Sequence, residues 1–146
     1  MRVERMKDAS EIVEILEGKN MIKIMIVEDE RDLREMLEII LNKEGYQTDT
    51  AVNGLELLKK IDVFQPDLIT LDVMMPGLTT SEILEKLKDK KTKPKIIILT
   101  VTRYSEEDKQ KIYKMGNVVE YITKPFELDD LLNAIKKHLI KLDVSY

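Results

Sequence analysis

The sequence contains no cysteine, no tryptophan and a single histidine, His138. Without cysteine the chain can form neither a disulfide framework, a thiolate nucleophile, an iron–sulfur cluster nor a cysteine-ligated zinc site. One histidine also excludes most histidine-ligated metal sites. His138 follows two lysines in a predicted helix, so we expect it on a solvated helix face.

Long apolar runs and an excess of positive charge are also missing. No run approaches the ~20 apolar residues of a membrane-spanning helix, and the N-terminus lacks the apolar segment of a secretory signal. We therefore expect a cytoplasmic protein that does not interact with a membrane. The 24 Lys and Arg residues against 28 Asp and Glu residues give a net charge of −4. That balance argues against binding nucleic acid through phosphate neutralisation.

The 146 residues, 43% of them hydrophobic and 36% charged, are sufficient for one domain with a buried core. Residues 1–20 differ from the rest and are interpreted as an N-terminal extension. Their apolar residues recur at helical spacing and predict a short helix, which would be marginal in isolation. Residues 21–146 are interpreted as the domain itself.

From Met21 onward, apolar runs rich in β-branched residues alternate with amphipathic patterns. Strands are predicted over residues 22–27, 46–52, 68–71, 96–100 and 118–122, and helices between them and over 128–142. Strands that are apolar throughout are buried on both faces, which is typical of a parallel sheet covered by helices. The predicted fold class is α/β, a doubly wound five-stranded parallel sheet in a (βα)5 flavodoxin-like sandwich.

Polar residues of three kinds come directly after the predicted strands. They are Glu28 and Asp29 after the first strand, Asp72 after the third, Thr100 after the fourth and Lys124 after the fifth. Ligands of open α/β sheets bind at the carboxyl ends of the strands, so we expect these side chains to converge. Three neighbouring carboxylates repel one another and favour a bound cation. Oxygen ligands without histidine or cysteine favour Mg²⁺.

Such a cluster has the parts needed for phosphoryl chemistry. With a divalent ion present, one carboxylate can act as a nucleophile towards a phosphoryl group. A lysine ammonium and a threonine hydroxyl can then bind the oxygens of the product.

From Met21 to about Leu142 the chain resembles a response-regulator receiver domain of two-component signalling. The resemblance rests on IVEDE at 26–30, LDVMMPG at 71–77, ILT at 98–100 and YITKPF at 121–126. These stretches include the ends of the first, third, fourth and fifth predicted strands.

The resemblance implies a role for each of the residues at the strand ends. Asp72 would be the phosphoacceptor, and Thr100 and Lys124 would hold the phosphoryl oxygens. Tyr121 would be the aromatic residue that turns inward on activation, making it a switch residue together with Thr100.

The resemblance also implies a set of ligands for Mg²⁺. Asp29, Asp72 and the backbone carbonyl of Met74 would bind the ion directly. Glu28 would act through a metal-bound water.

The function implied is a signalling receiver that takes a phosphoryl group from a sensor histidine kinase onto Asp72. It would catalyse only its own phosphorylation and dephosphorylation, so we do not expect a metabolic enzyme. Only residues 143–146 follow the last predicted helix, which indicates a stand-alone receiver. Its output would then pass to a downstream protein through the last strand and helix.

Two alternatives remain open. A pseudo-receiver would keep the fold and act as a phosphorylation-independent interaction module. A phosphatase or phosphotransferase using an aspartyl phosphate typically has a second acid two residues after its nucleophile, where this chain has Met74. A nucleotide-binding protein is disfavoured because the chain has no glycine-rich phosphate loop.

Three positions depart from the usual receiver pattern. Thr79 and Thr80 replace an Asp-Gly pair, which predicts a different loop path because threonine resists a positive φ. Val101 is larger than the usual alanine or glycine and is expected to narrow the approach to Asp72. The segment from Gly116 to Tyr121 is one residue longer than usual. Whether the bond before Pro125 is cis is left open by the sequence.

Overall fold

The computed structural model describes residues 21–139, in which strands and helices alternate strictly. The predicted helix within residues 1–20, and the end of the last predicted helix, lie outside them. The strands are β1 (Lys23–Val27), β2 (Gln47–Ala51), β3 (Leu68–Asp72), β4 (Lys95–Thr100) and β5 (Val118–Thr123). The helices are α1 (Arg31–Lys43), α2 (Gly54–Phe64), α3 (Thr80–Leu87), α4 (Glu106–Met115) and α5 (Leu128–Leu139). In this part of the chain, no helix is both long enough and apolar enough to cross a membrane.

All five strands pair in parallel in one sheet, in the order β2-β1-β3-β4-β5. The predicted doubly wound α/β fold is therefore confirmed. Strands β1 and β3 are neighbours, with Ile24 opposite Leu68 and Val27 opposite Leu71. The chain order changes direction at this pair, and ligands of such sheets bind beyond the strand ends at that point.

Each face of the sheet carries its own apolar layer. Successive residues of a strand point to opposite faces, so Ile24 of β1 packs in the layer with α1 and α5. Its neighbour Met25 packs in the layer with α2, α3 and α4. All five residues of β3 are buried, as expected for a central strand covered on both sides.

Side chains cap the starts of α3 and α4. Ser105 caps α4, and its side chain accepts a hydrogen bond from the amide of Asp108. Thr79 caps α3, and its hydroxyl accepts a hydrogen bond from the amide of Glu82. Thr79 and Glu82 form a reciprocal capping box, which needs an acid three residues after the cap.

The loop before α3 takes its positive φ at a glycine. Gly77 has a φ of 100°, in the left-handed region that glycine tolerates best. Thr79 has a φ of −74°. The two threonines that replace the usual Asp-Gly pair therefore begin a helix without backbone strain. The bond between Lys124 and Pro125 is cis.

Strand β5 contains one residue more than the facing part of β4. Ile96 lies opposite Val118 but Ile97 lies opposite Glu120, so Val119 has no partner in the register. An extra residue of this kind forms a β-bulge. The bulge accounts for the additional residue that the sequence has before Tyr121.

The bulge turns two successive residues towards α5. Val119 packs in the apolar layer that contains α5, and the carboxylate of Glu120 lies 2.7 Å from Nε2 of His138 on that helix. The side chain of His138 is only 18% exposed. The expectation of a solvated histidine is therefore wrong, because the bulge brings an acid to it.

Candidate functional site

Three carboxylates meet where β1 and β3 end. Glu28 and Asp29 directly follow β1, and Asp72 is the last residue of β3. One oxygen from each lies within 4.8 Å of the others. Glu28 and Asp72 are buried and Asp29 is exposed. The structure therefore brings together the three acids that the sequence predicted as metal ligands.

Lys124 reaches the same point from the end of β5. Its Nζ lies 2.9 Å from Oε1 of Glu28 and 3.5 Å from Oδ2 of Asp72. Its amide donates a hydrogen bond of 2.8 Å to the carbonyl of Thr100, which fixes the start of the side chain against β4. One ammonium is thus shared by two buried acids.

Burial dominates the protonation of Glu28 and raises its pKa to about 7. Hydrogen bonds from Lys124 and from the amide of Glu30 lower the pKa, while the Asp72 carboxylate raises it. Burial alone would lower the pKa of Lys124. The Glu28 hydrogen bond and the charges of Glu28 and Asp72 outweigh that effect and leave the Lys124 pKa above its usual value. The lysine therefore stays charged, whereas Glu28 is close to taking up a proton at neutral pH.

The Asp72 carboxylate is held by the backbone of the following loop. Its Oδ1 accepts a hydrogen bond of 3.0 Å from the amide of Met74. The backbone of Met74 therefore lies beside the carboxylate, where its carbonyl was predicted to bind the metal. The exposed Met74 side chain receives a 3.3 Å hydrogen bond from the hydroxyl of Thr102 to its Sδ.

Thr100 ends β4 one residue beyond the position opposite Asp72. Its side chain is buried, and its hydroxyl accepts a 2.9 Å hydrogen bond from the amide of Thr102. The next residue, Val101, is 57% exposed. The predicted hydroxyl is therefore buried at the same edge of the sheet as the acids, and an exposed apolar residue follows it.

Tyr121 is held by two tyrosines that the sequence analysis did not single out. The centroid of its ring lies 5.5 Å from that of Tyr104 and 5.3 Å from that of Tyr113. Among residues 21–139 its buried hydroxyl has no hydrogen-bond partner. Burial, followed by the neighbouring Tyr104 and Tyr113, raises the pKa of Tyr121 far above its usual value. The ring is well packed, but its hydroxyl is not satisfied.

Arg34 is a further residue that the sequence analysis missed. Its Nη1 donates to the carbonyl of Glu28 at 3.0 Å and to that of Asp29 at 3.2 Å. A helix dipole favours acids rather than bases in the first turn. The two basic residues in the first turn of α1, Arg31 and Arg34, were the available signal, but the sequence does not distinguish between them.

The donor set fits a hard divalent cation such as Mg²⁺. Carboxylate oxygens are the ligands that this ion prefers, and no thiolate or imidazole competes for it here. A cation would also relieve the repulsion between acids that share only one ammonium.

Comparisons with known proteins point to one family. A family model described as the response regulator receiver domain matches residues 24–136. The chain is 38% identical over 117 residues to sporulation initiation phosphotransferase F of Bacillus subtilis (strain 168). That similarity covers 80% of this chain and 93% of the relative.

Solved structures of response regulators are also similar. The response regulator TrrA of Thermotoga maritima, crystallised in complex with Mg²⁺-BeF, is 39% identical with a TM-score of 0.69. TrrA in complex with the histidine kinase ThkA is 38% identical with a TM-score of 0.68. Both similarities cover 82% of this chain and 100% of the other.

Proposed function

This chain belongs to the family of response regulator receiver domains, and on that premise we propose that Asp72 accepts a phosphoryl group from a histidine kinase. The supporting observation is the convergence of Glu28, Asp29, Asp72 and Lys124 at one edge of the sheet. The crystal complex of the similar protein TrrA with a histidine kinase supports the class of donor. We expect the exchange to take place in the cytoplasm.

In the proposed transfer, Asp72 is the nucleophile. A carboxylate oxygen attacks the phosphorus of the donor phosphohistidine, forming a P–O bond. The P–N bond breaks and its electron pair passes to the imidazole nitrogen. The Lys124 ammonium and the Thr100 hydroxyl bind phosphoryl oxygens, and Glu28 holds Lys124 in position at 2.9 Å.

Mg²⁺ would be held by Asp29, Asp72 and the carbonyl of Met74, with Glu28 next to it. When bound, it would supply positive charge that offsets the negative charge of the phosphoryl oxygens.

Dephosphorylation reverses the modification by hydrolysis. Water attacks the phosphorus, the P–O bond to Asp72 breaks, and inorganic phosphate leaves a free carboxylate. We propose that the chain catalyses only these two reactions on its own aspartate. We also propose that Val101, which is exposed and directly follows Thr100, slows both by obstructing access to Asp72.

Phosphorylation would be transmitted to the surface through Tyr121. It adds about 1.5–2 negative charges next to Lys124 and Thr100. An open pocket of about 300 Å³ is lined by both Thr100 and Tyr121. Movement of the threonine towards the phosphoryl group would enlarge the space into which the ring can turn. The surface of β5 and α5 would then present a different face to a downstream protein.

Labelling with a small phosphodonor tests the proposal. The wild type, Asp72→Asn and Asp67→Asn are incubated with acetyl phosphate and MgCl₂, and bound phosphate is measured by mass spectrometry. The wild type and Asp67→Asn should be labelled and Asp72→Asn should not, because Asp67 precedes the same strand at its far end. Labelling of Asp72→Asn at the wild-type rate would contradict the central assignment. An unlabelled wild type would favour the pseudo-receiver.

Two further variants test the remaining roles. Lys124→Ala should still be labelled, but the NMR signals of Tyr121 should respond less to phosphate than in the wild type. Val101→Ala should be labelled faster. If the NMR signals of Tyr121 do not change when the wild type is phosphorylated, the role of Tyr121 as a switch is contradicted, but phosphorylation of Asp72 is not.

A further inference from the structure

The backbone of the turn from β1 into α1 is held by hydrogen bonds to other backbone groups and to side chains. The amide of Glu28 donates to the carbonyl of Ala51 at 3.0 Å. The amide of Glu30 donates to Oε2 of Glu28 at 3.1 Å. The carbonyls of Glu28 and Asp29 both accept hydrogen bonds from one guanidinium nitrogen of Arg34.

Asp29 depends on this backbone contact more than the other two acids do. Glu28 and Asp72 both pair with Lys124. Within residues 21–139, Asp29 has no salt bridge, and its side chain is exposed. The direction of its carboxylate is therefore set by the peptide that carries it. Arg34 is the side chain that fixes this peptide.

We infer that Arg34 is a positioning residue of the metal site, holding the backbone so that Asp29 and Glu28 face Asp72. The inference rests on the proposed function, since it assumes that these acids bind a divalent cation. Within residues 21–139, the guanidinium of Arg34 donates hydrogen bonds only to carbonyl oxygens of this turn. We therefore expect it to act through the acids rather than on a substrate. The planar guanidinium suits this role because its donors keep a fixed geometry.

Removing Arg34 should change the affinity for the cation in opposite directions, depending on whether the residue positions the acids or acts only by its charge. A positive charge near a cation site weakens cation binding, so removing an arginine that acts only by charge strengthens binding. Removing an arginine that positions the ligands weakens binding, because the acids must then be ordered by the ion itself. The direction of the change therefore identifies the role.

Arg31 provides a matched control on the same helix. Its guanidinium bonds Glu35 at 3.0 Å, and both side chains are largely exposed. Arg31→Gln and Arg34→Gln each remove one positive charge from the first turn of α1. Only Arg34→Gln removes hydrogen bonds to the acidic turn.

The test is calorimetric titration of MgCl₂ into the metal-free wild type, Arg31→Gln and Arg34→Gln. Arg31→Gln should bind Mg²⁺ as tightly as the wild type or slightly more tightly. Arg34→Gln should bind at least fivefold more weakly, and the amide NMR signals of Asp29 and Glu30 should shift in its metal-free form. Arg34→Lys should recover part of the affinity because its ammonium can still reach a carbonyl.

Binding by Arg34→Gln as tight as that of Arg31→Gln would overturn the inference while leaving the proposed function intact. A wild type that takes up no Mg²⁺ would overturn both. If Arg34→Gln fails to unfold cooperatively, Arg34→Lys against Arg31→Lys repeats the comparison without a change of charge, and equal affinities would again overturn the inference.

Discussion

The two ends of β3 are bracketed by two aspartates in opposite situations. At the amino end, the exposed Asp67 connects three strands. Its Oδ2 accepts from the amide of Lys23 at 2.8 Å, its amide donates to the carbonyl of Lys23, and its carbonyl accepts from the amide of Lys95. At the carboxyl end, the buried Asp72 shares a single ammonium with Glu28 and lies close to a third acid.

The difference separates a stabilising end of the sheet from a reactive one. Around Asp67, backbone and side-chain donors are paired with acceptors of the neighbouring strands. Around Asp72, like charges are held together away from water, and burial raises the pKa of Glu28 to about 7. Sites that bind and react commonly lower stability in this way. Removing an acid should therefore have opposite consequences at the two ends, and the predictions below test this.

The largest expected effect comes from removing the shared ammonium. Lys124→Ala leaves two buried acids without their cation, and breaking a buried pair is strongly destabilising. Because Lys124 is partly exposed, we expect the free energy of unfolding to fall by about 2 kcal/mol at pH 8. The loss should shrink at pH 6, where Glu28 can take up a proton. Urea unfolding of the metal-free protein measures both values.

Lys95→Ala is the matched control for the amino end. Its Nζ donates to the carbonyl of His138 near the surface, so we expect a loss below about 1 kcal/mol that does not change between pH 6 and 8. Equal losses for Lys124→Ala and Lys95→Ala would contradict the proposed difference between the two ends.

The second effect is a decline in the stability of the metal-free protein as the pH rises. The pKa of Glu28 is about 7 in the folded chain and 4.5 as its ordinary value. Between these values the folded form binds more protons than the unfolded form, so stability falls with pH. The stabilisation is complete below pH 4.5 and is lost as the pH rises through 7. We expect a decrease of roughly 2 kcal/mol between pH 5 and 8.

Thermal unfolding in EDTA across this pH range measures the decline. Glu28→Gln should flatten it, because the side chain no longer titrates. Saturating MgCl₂ should also reduce it, because a bound cation favours the charged carboxylate and stabilises the folded state by mass action. A decline of the same size in Glu28→Gln would show that another group causes it.

The third effect compares the two aspartates directly. Asp72→Asn removes a negative charge next to Glu28 and should raise metal-free stability by about 1 kcal/mol. Asp67→Asn weakens a charge-assisted hydrogen bond to the Lys23 amide and should lower stability by about 0.5–1 kcal/mol. MgCl₂ should stabilise Asp67→Asn but not Asp72→Asn. If both variants change the free energy of unfolding in the same direction in EDTA, the proposed difference between the two ends of β3 is wrong.

The smallest effect concerns the unsatisfied hydroxyl of Tyr121. A buried donor without a partner is costly, so Tyr121→Phe should raise stability by about 0.5–1 kcal/mol. Tyr113→Phe is the control, because the Tyr113 hydroxyl, unlike that of Tyr121, is not among the buried groups that lack a hydrogen-bond partner. It should leave the free energy of unfolding nearly unchanged. Urea unfolding of both variants decides the matter. A loss of stability in Tyr121→Phe would show that its hydroxyl has a partner in solution.

The sheet and the acids could be predicted because both follow from short patterns. Apolar runs located the strands, and the parallel arrangement then required Asp72 and Lys124 to approach one another at the same edge. This reasoning works because strand ends are fixed by the backbone and not by the details of packing.

Contacts across the fold could not be predicted in the same way. Arg34 binds carbonyls that any residue would supply. Tyr121 meets Tyr113 of α4 and Tyr104 of the loop between β4 and α4. No spacing in the chain encodes these distances. His138 was misplaced for the same reason, since its acid is 18 residues away and reaches it through a bulge.

The bulge at Val119 also allows β5 to contain one additional residue without a change in the later pairing. Side chains alternate with a period of two along a strand, so one added residue reverses every later position. Here the bulge accommodates the added residue, and the pairing register is regular after it. Ile98 lies opposite Tyr121 and Thr100 lies opposite Thr123. Tyr121 and Lys124 therefore keep their sides of the sheet. The added residue therefore changes which side chains face α5 and leaves the reactive edge as it was.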